Sequence, residues 1–289
     1  MTNHALHRRE DGTIELTVTV PWAEVAKIYE TVVADVMKNT ELPGFRKGKA
    51  PKAMVEEKID QSKVYEDVIR KLLPEVYNEV VKEEKLKPII SPKVELKEAK
   101  EKSDWILVMY TCEKPEIKLG DYKKSVAAHK AESSKKIWTP ESAAAEATAE
   151  ESQKEQKPRI DDILGWVAET ITVTVSALLL EQEVNRLLSG LIDQTKKLGL
   201  NVEQYLSATG KTADGVRHEY EDQAKQTITL EFGLEEIADR EGILISDDDI
   251  DTVIKTAKSE AEKKSLENER YYIASVLRRQ KTIDFLANL

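Results

Sequence analysis

Glu41-Leu42-Pro43-Gly44-Phe45-Arg46-Lys47-Gly48-Lys49-Ala50-Pro51 lies between two helical patterns and cannot continue either of them. Pro43 has no amide proton to donate, and Gly44 and Gly48 favour a turned backbone. Phe45 stands between the glycines, followed by Arg46 and Lys47, with Lys49 and Lys52 just beyond. Residues 44–52 carry four positive charges and no acid, in a chain of formal net charge −10. A cationic loop with one aromatic residue on an acidic protein has the chemistry of a docking element for a polyanion or an acidic protein patch. The plainer alternative is a solvated turn whose phenyl ring tucks back onto a neighbouring helix.

The residues before the loop form a strand and a helix. In Thr13–Val20 the residues Ile14, Leu16, Val18 and Val20 alternate strictly, which predicts a half-buried strand. Pro21 suits the first turn of a helix, and Trp22, Val25, Ile28, Tyr29, Val32, Val33 and Val36 recur at helical spacing as far as about Asn39. After the loop, Pro51 opens a short helix with Met54, Val55 and Ile59 directed inward. A third helix is expected from about Ser62 to Glu84 on Val64, Val68, Leu72, Val76 and Val80, with Pro74 kinking or splitting it. A break over 85–92 leads to two strands, about 93–97 and 105–111. The order strand–helix–loop–helix–helix–strand–strand describes an α+β domain over residues 1–112, with helices on one face of a small antiparallel sheet.

The stretch Gly44-Phe45-Arg46-x-Gly48-x-x-Pro51 resembles the ribosome-docking signature of the trigger factor family, chaperones that meet nascent chains at the tunnel exit. In that family the tip, here Phe45, Arg46 and Lys47, contacts a large-subunit protein and nearby RNA. With that tip, Gly44, Gly48, Lys49 and Pro51 complete the expected ribosome-binding set, and the resemblance extends to the order of the α+β domain and to Pro115–Tyr122 as an extended exit from it. Three later segments are similar to the family's helical arms: Leu180-Glu-Gln-Glu-Val-Asn-Arg-Leu187, Tyr205-Leu-Ser-Ala-Thr-Gly-Lys211 and Leu234-Glu-Glu-Ile-Ala-Asp-Arg-Glu-Gly-Ile243. The resemblance implies an elongated all-α C-terminal domain with helical arms. It also implies a capacity to dimerise through the docking domain, and as partners the large ribosomal subunit and nascent or unfolded polypeptides.

Residues 113–158 depart from the family. Most trigger factors carry an FK506-binding-type prolyl isomerase domain there, with several strands and an aromatic-lined pocket. This segment holds one Trp, one Tyr and no Phe, and is too short for such a domain. It reads instead as a linker, extended at first and then either a solvated helix or a flexible run, with Thr139-Pro140-Glu141 as a helix start. The expectation is a chain without isomerase activity; a reduced isomerase, or a holdase that works without ribosomes, are the alternatives.

From 159 onward the pattern is helical. A helix over Asp161–Thr170 and an extended link over Ile171–Val175 precede a long helix capped by Ser176 and ended by Gly199. Its stripe is Leu179, Leu180, Val184, Leu187, Leu188, Leu191 and Ile192. Asn201 caps a short helix, and another long one runs from Thr212 to Glu241, stopped by Gly242. Ser246-Asp-Asp-Asp249 caps a helix to about Lys264, and the last spans Asn268–Ala287 with Tyr272, Val276, Arg279, Ile283 and Leu286 along one side. A client cradle needs apolar residues left over from helix packing. Leu188, Ile192, Tyr205 and Phe285 are the candidates, each with interhelix packing as its competing role.

Composition excludes several classes. With 6% aromatic and 34% charged residues and mean hydropathy −0.49, the chain suits modest cores and much helix. No run of about 18 apolar residues is present, and the polar start Met1–Glu10 lacks the apolar region of a signal peptide. Both point to a cytoplasmic protein with no membrane partner. Cys112 is the one cysteine, so no intramolecular disulfide forms. Charge divides unevenly, about −1 over residues 1–112 and −9 over 113–289. His4, His7, His129 and His218 have no metal-ligand spacing, and Asp247, Asp248, Asp249 and Asp251 lack the spacing and glycine of a calcium loop. Gly210-Lys211-Thr212 ends like a P-loop, but Tyr205 stands where the first glycine belongs and a helical segment where the strand belongs. No cofactor, metal or catalytic residue is expected.

Overall fold

Thr13–Val20 is a strand in the computed structural model, bounded as its alternation requires, and Ile14, Leu16, Val18 and Val20 are buried on one face. The structure describes residues 3–39, 45, 54, 61–100, 102–135, 159–257 and 259–289. In chain order the elements are β1 (Asn3–Arg8), β2 (Thr13–Val20), α1 (Trp22–Asn39), α2 (Gln61–Glu83), β3 (Lys93–Glu98), β4 (Trp105–Cys112), β5 (Ile117–Leu119), α3 (Tyr122–Lys135), α4 (Ile160–Ala168), β6 (Ile171–Val173), α5 (Ala177–Lys197), α6 (Val202–Thr209), α7 (Ala213–Arg240), α8 (Asp247–Ile254), α9 (Glu260–Asn268) and α10 (Arg270–Ala287). Two units result. One comprises Met1–Lys114 with Ser176–Leu179, the other Pro115–Val175 with Leu180–Leu289.

The first unit is a four-stranded antiparallel sheet, ordered β1-β2-β4-β3, with α1 and α2 on one face. Register sets that face: Leu6 pairs with Leu16, Leu16 with Met109, and Met109 with Val94. All four pack into the core beside Val25, Val32 and Val33 of α1 and Val64, Val68, Leu72, Val76 and Val80 of α2. The five α2 residues are the ones the helical period selects. Trp105 is fully buried, with the Tyr65 ring edge-on at 5.2 Å.

Three expectations for this unit are corrected. β1 was not foreseen, because Asn3–Arg8 has no clean alternation; its pairing with β2 across the Arg9–Gly12 turn makes it a strand. Of the two effects expected of Pro74, a kink or a split, the split does not occur, since α2 runs through it. Pro74 is on the exposed side, where water can bond the carbonyl one turn back that loses its amide partner. Met54 is helical as expected but exposed; Val55 and Ile59 lie outside the described residues.

The second unit gathers its main core from well-separated segments. Tyr122 and Val126 of α3, Ile163 and Val167 of α4, Ile171 of β6, Leu234 and Ile237 of α7, and Leu286 of α10 pack together. The expected extended segments on either side of α3 and α4 pair as the antiparallel ribbon β5–β6, with Ile117 opposite Val173, so this unit is helical with one small ribbon. α3 occupies the start of the segment for which sequence left helix and linker both open. A smaller core joins Ile250 and Ile254 of α8 to Ile273 of α10.

Two helix expectations change here. The single helix over 247–264 is two, because the Ser259 hydroxyl accepts the Glu262 amide and starts α9. On α10 Leu286 is buried and Ile283 packs against the main core, as the expected stripe has them, whereas Tyr272 and Val276 are exposed and Ile273 and Thr282 are buried instead.

Candidate docking and client surfaces

The candidate docking segment lies between α1 and α2 in the chain. Both helices are anchored in the sheet core, and Lys71 of α2 meets Asp35 of α1 at 2.9 Å. Phe45, at a bend, keeps 38% of its surface exposed. Gly44, Arg46, Lys47, Gly48, Lys49 and Pro51 lie outside the described residues.

The candidate client residues divide. Ile192 on α5 is 38% exposed. Leu188 is half-buried on the same helix, and Tyr205 half-buried on α6. Phe285 packs against the main core of the second unit, with the Lys123 ammonium 5.7 Å from its ring centre, so its chief role is structural.

Larger apolar exposure occurs where sequence reasoning did not look. Leu198 is 73% exposed, with Leu200 and Val202 also exposed beside it. These three flank a tightly determined turn. Gly199 is left-handed at φ +73°, the Leu200 amide bonds the Thr195 carbonyl at 3.0 Å, and Asn201 and Gln204 form a reciprocal capping box. Leu244 is 78% exposed just after the left-handed Gly242, and Tyr271 90% exposed at the start of α10, where Tyr272 and Val276 join it. Leu198 and Leu244 lie beside the helix stops Gly199 and Gly242, which the sequence marks, but a stop does not say which of its neighbours goes unpacked: Ile243, next to Gly242, is half-buried.

Around these patches the second unit is strongly ionic. Arg270 bonds Asp251 at 2.6 Å and Asp247 at 3.0 Å, Arg278 bonds Asp239, and Arg279 bonds Glu231. Asp249 is held far below the ordinary carboxylate range, at about 2, by Lys281 and by the Ser246 amide and hydroxyl. Asp247, Asp249 and Asp251 are thus employed in capping and ion pairs. Among the described residues no group of His, Cys, Asp or Glu is arranged to hold a metal ion, and no helix is long and apolar enough to cross a membrane. Cys112 is buried, and burial pushes its thiol pKa up.

Comparison with known proteins agrees with this architecture. Residues 3–157 match the family model "Bacterial trigger factor protein (TF)", and residues 141–288 match "Bacterial trigger factor protein (TF) C-terminus". The chain belongs to the trigger factor family. The two matches overlap, so no isomerase-sized segment separates them. Trigger factors of Staphylococcus aureus strains JH9 and Newman are each 30% identical over 243 residues, covering 81% of this chain and 52% of the relative. The chain therefore spans about half the length of these curated relatives. A solved structure, reported as "Promiscuous Substrate Recognition in Folding and Assembly Activities of the Trigger Factor Chaperone", superposes with a TM-score of 0.62 at 16% identity, covering 98% of this chain and 99% of that one. That likeness establishes a shared fold.

Proposed function

We propose that the chain is an ATP-independent molecular chaperone that docks at the ribosomal tunnel exit and shields emerging polypeptides. In this reading residues 1–112 dock, through Gly44, Phe45, Arg46, Lys47, Gly48, Lys49 and Pro51, on a large-subunit protein and nearby RNA. Residues 113–158 link, and residues 159–289 form the client cradle. The observation that carries the reading is the exposed Phe45 within the family's basic docking signature. The exposed Ile192, Leu198, Leu244 and Tyr271, dispersed among charged residues, supply weak and repeated apolar contacts, which hold a client without fixing its sequence. Release from such contacts is fast and needs no nucleotide. Leu188 and Tyr205 contribute at the margin.

Co-sedimentation with ribosomes at two salt concentrations tests the docking claim. Wild-type binding weakens with salt, and Phe45→Ala/Arg46→Ala/Lys47→Ala abolishes it. Equal binding by both proteins, or none by either, overturns it. Suppression of aggregation of an unfolded protein tests the cradle separately. The chain carries no prolyl isomerase activity in this reading: a proline-limited refolding reaction keeps its rate at substoichiometric protein, and clear acceleration would refute this.

A further inference from the structure

The four-stranded sheet of the first unit has two edges, β1 and β3, and they are finished differently. β3 contains Lys93 and Lys97 and a register shift between Leu96 and Glu98, devices that keep an edge from pairing with another chain. β1 has neither. Asn3–Arg8 holds one unbroken register against β2 and contains no Pro or Lys. The hairpin fixes which backbone groups face away from β2. The Arg9 amide bonds the Thr13 carbonyl, so these two residues are a hydrogen-bonded pair, and such pairs recur at every second residue, at His7, Ala5 and Asn3. The amides and carbonyls of Leu6 and Arg8 therefore point outward, and they bond no other described residue.

We propose that the outer edge of β1 takes an extended, unfolded segment of a client polypeptide as a fifth strand of this sheet. The outward groups decide the class of occupant. Those of Leu6 and Arg8 are about 6.8 Å apart along the strand, and an extended chain presents its own donors and acceptors at that same spacing. The two faces decide the pattern. Leu6 packs against the core, so the residue opposite it is apolar, whereas Ala5 and His7 are exposed on the other face and their neighbours are polar or small. A segment alternating apolar and polar residues fits, whatever its exact sequence. A second copy of the chain is disfavoured by its net charge of −10. That the segment comes from a client rests on the proposed chaperone function; the strand addition itself does not.

The test uses the full chain, isotope-labelled for NMR, and a short peptide alternating valine with threonine and ended by a lysine. A control peptide has proline in place of valine. The first peptide shifts the Leu6 and Arg8 amides, slows their exchange and leaves β3 unchanged; the proline peptide does none of this. Arg8→Pro removes an outward amide and no bond to β2, and proline is tolerated at such an edge position. It weakens binding about fivefold, the scale of one backbone hydrogen bond, whereas Arg8→Ala, which loses the same Glu113 ion pair but keeps the amide, stays within about twofold of wild type. Should Arg8→Pro fail to fold, the wild-type shifts decide on their own. No shift at Leu6 and Arg8, equal shifts on β3, or equal binding by Arg8→Pro and Arg8→Ala overturns the proposal. Shifts that grow with protein concentration in the absence of peptide also overturn it, by giving the edge to a second copy. Shifts confined to Leu198, Leu244 and Tyr271 overturn it while leaving the chaperone reading intact. Strand addition at β1 without suppression of aggregation has the opposite meaning: the edge binds, and the chaperone reading fails.

Discussion

The Asp11 carboxylate accepts the Ala177 amide at 2.9 Å, so a turn of the N-terminal hairpin caps a helix 166 residues further along the chain. The same carboxylate accepts the Thr13 amide at 3.0 Å and the Thr13 hydroxyl at 2.8 Å. Burial pushes the Asp11 pKa up, but the bonds from Ala177 and Thr13 outweigh it and leave the group below its ordinary value. Asp11→Ala removes all three bonds and is expected to cost about 1–2 kcal/mol, the range for loss of a helix cap. Amide exchange at residues 177–179 reads it directly and speeds up in the variant. The depressed pKa adds a pH sign. This stabilisation is present above the unfolded carboxylate range and is lost as pH falls through the folded value. Unchanged exchange in the variant would mean that Ser176, whose hydroxyl accepts the Leu179 amide, suffices alone.

Gly233 of α7 is where that helix meets the ribbon. A Cβ built there comes within 2.3 Å of the Ile171 Cδ1 atom. Gly233→Ala therefore overpacks the core, at a cost of about 1–3 kcal/mol, set against a helix-propensity gain of about 1 kcal/mol. The net expectation is a destabilised second unit. In an Ile171→Ala background the obstruction is gone and Gly233→Ala becomes stabilising. A double-mutant cycle on urea midpoints checks this reversal of sign, and additive effects would contradict it.

The contrast between legible and illegible features has a physical cause. α2 was legible to its buried residues because Val64, Val68, Leu72, Val76 and Val80 sit on a sheet that is itself regular. β1 was missed because Asn3–Arg8 is an edge strand defined by its neighbour; the clue available was Asp11-Gly12, a hairpin pair whose glycine adopts φ +85°. The start of α9 was likewise written as Ser259-x-x-Glu262, a cap signature inside a helical period. The expected stripe on α10 holds at Ile283 and Leu286 but not at Tyr272 and Val276. Ile273 is buried by α8 whereas Thr282 and Leu286 are buried farther along the helix, so no single face describes it. The basic and aromatic residues of the candidate docking segment are read from local sequence, whereas the exposed Leu198, Leu244 and Tyr271 depend on which helix ends go unpacked, and periodicity does not record that.

Tyr122 ties α3 to the end of α7. Its hydroxyl donates to Glu241 at 2.6 Å, and Lys123 reaches the same carboxylate at 2.7 Å. Burial, followed by the Glu241 hydrogen bond and charge, pushes the tyrosine up to about 12. Because the folded pKa is raised, the contribution is intact below about pH 10 and fades as pH rises toward 12. Tyr122→Phe is expected to cost about 1–2 kcal/mol by removing a hydrogen bond to a charged acceptor. In an ultraviolet titration of the wild-type tyrosines, the variant lacks the component that ionises last. Retention of that component would assign it to another tyrosine and reject the Tyr122–Glu241 bond.

Asp249 provides the acid-side counterpart. Lys281 of α10 bonds its carboxylate at 2.8 Å, and the Ser246 amide and hydroxyl bond it at 2.9 Å and 2.8 Å. Lys281 first, then the two Ser246 bonds, bring the pKa to about 2. A depressed carboxylate stabilises the fold above its unfolded pKa, near 4, and the effect disappears as pH falls from there toward 2. Because Asp249 is open to solvent, the sharper measurement is its own titration by carboxyl NMR. Lys281→Gln is expected to raise the midpoint part of the way, since the Ser246 bonds remain, and added salt to raise it in wild type more than in the variant. Should the midpoint stay put in Lys281→Gln, the Ser246 cap alone sets it, and α8 has no electrostatic hold on α10 through this pair.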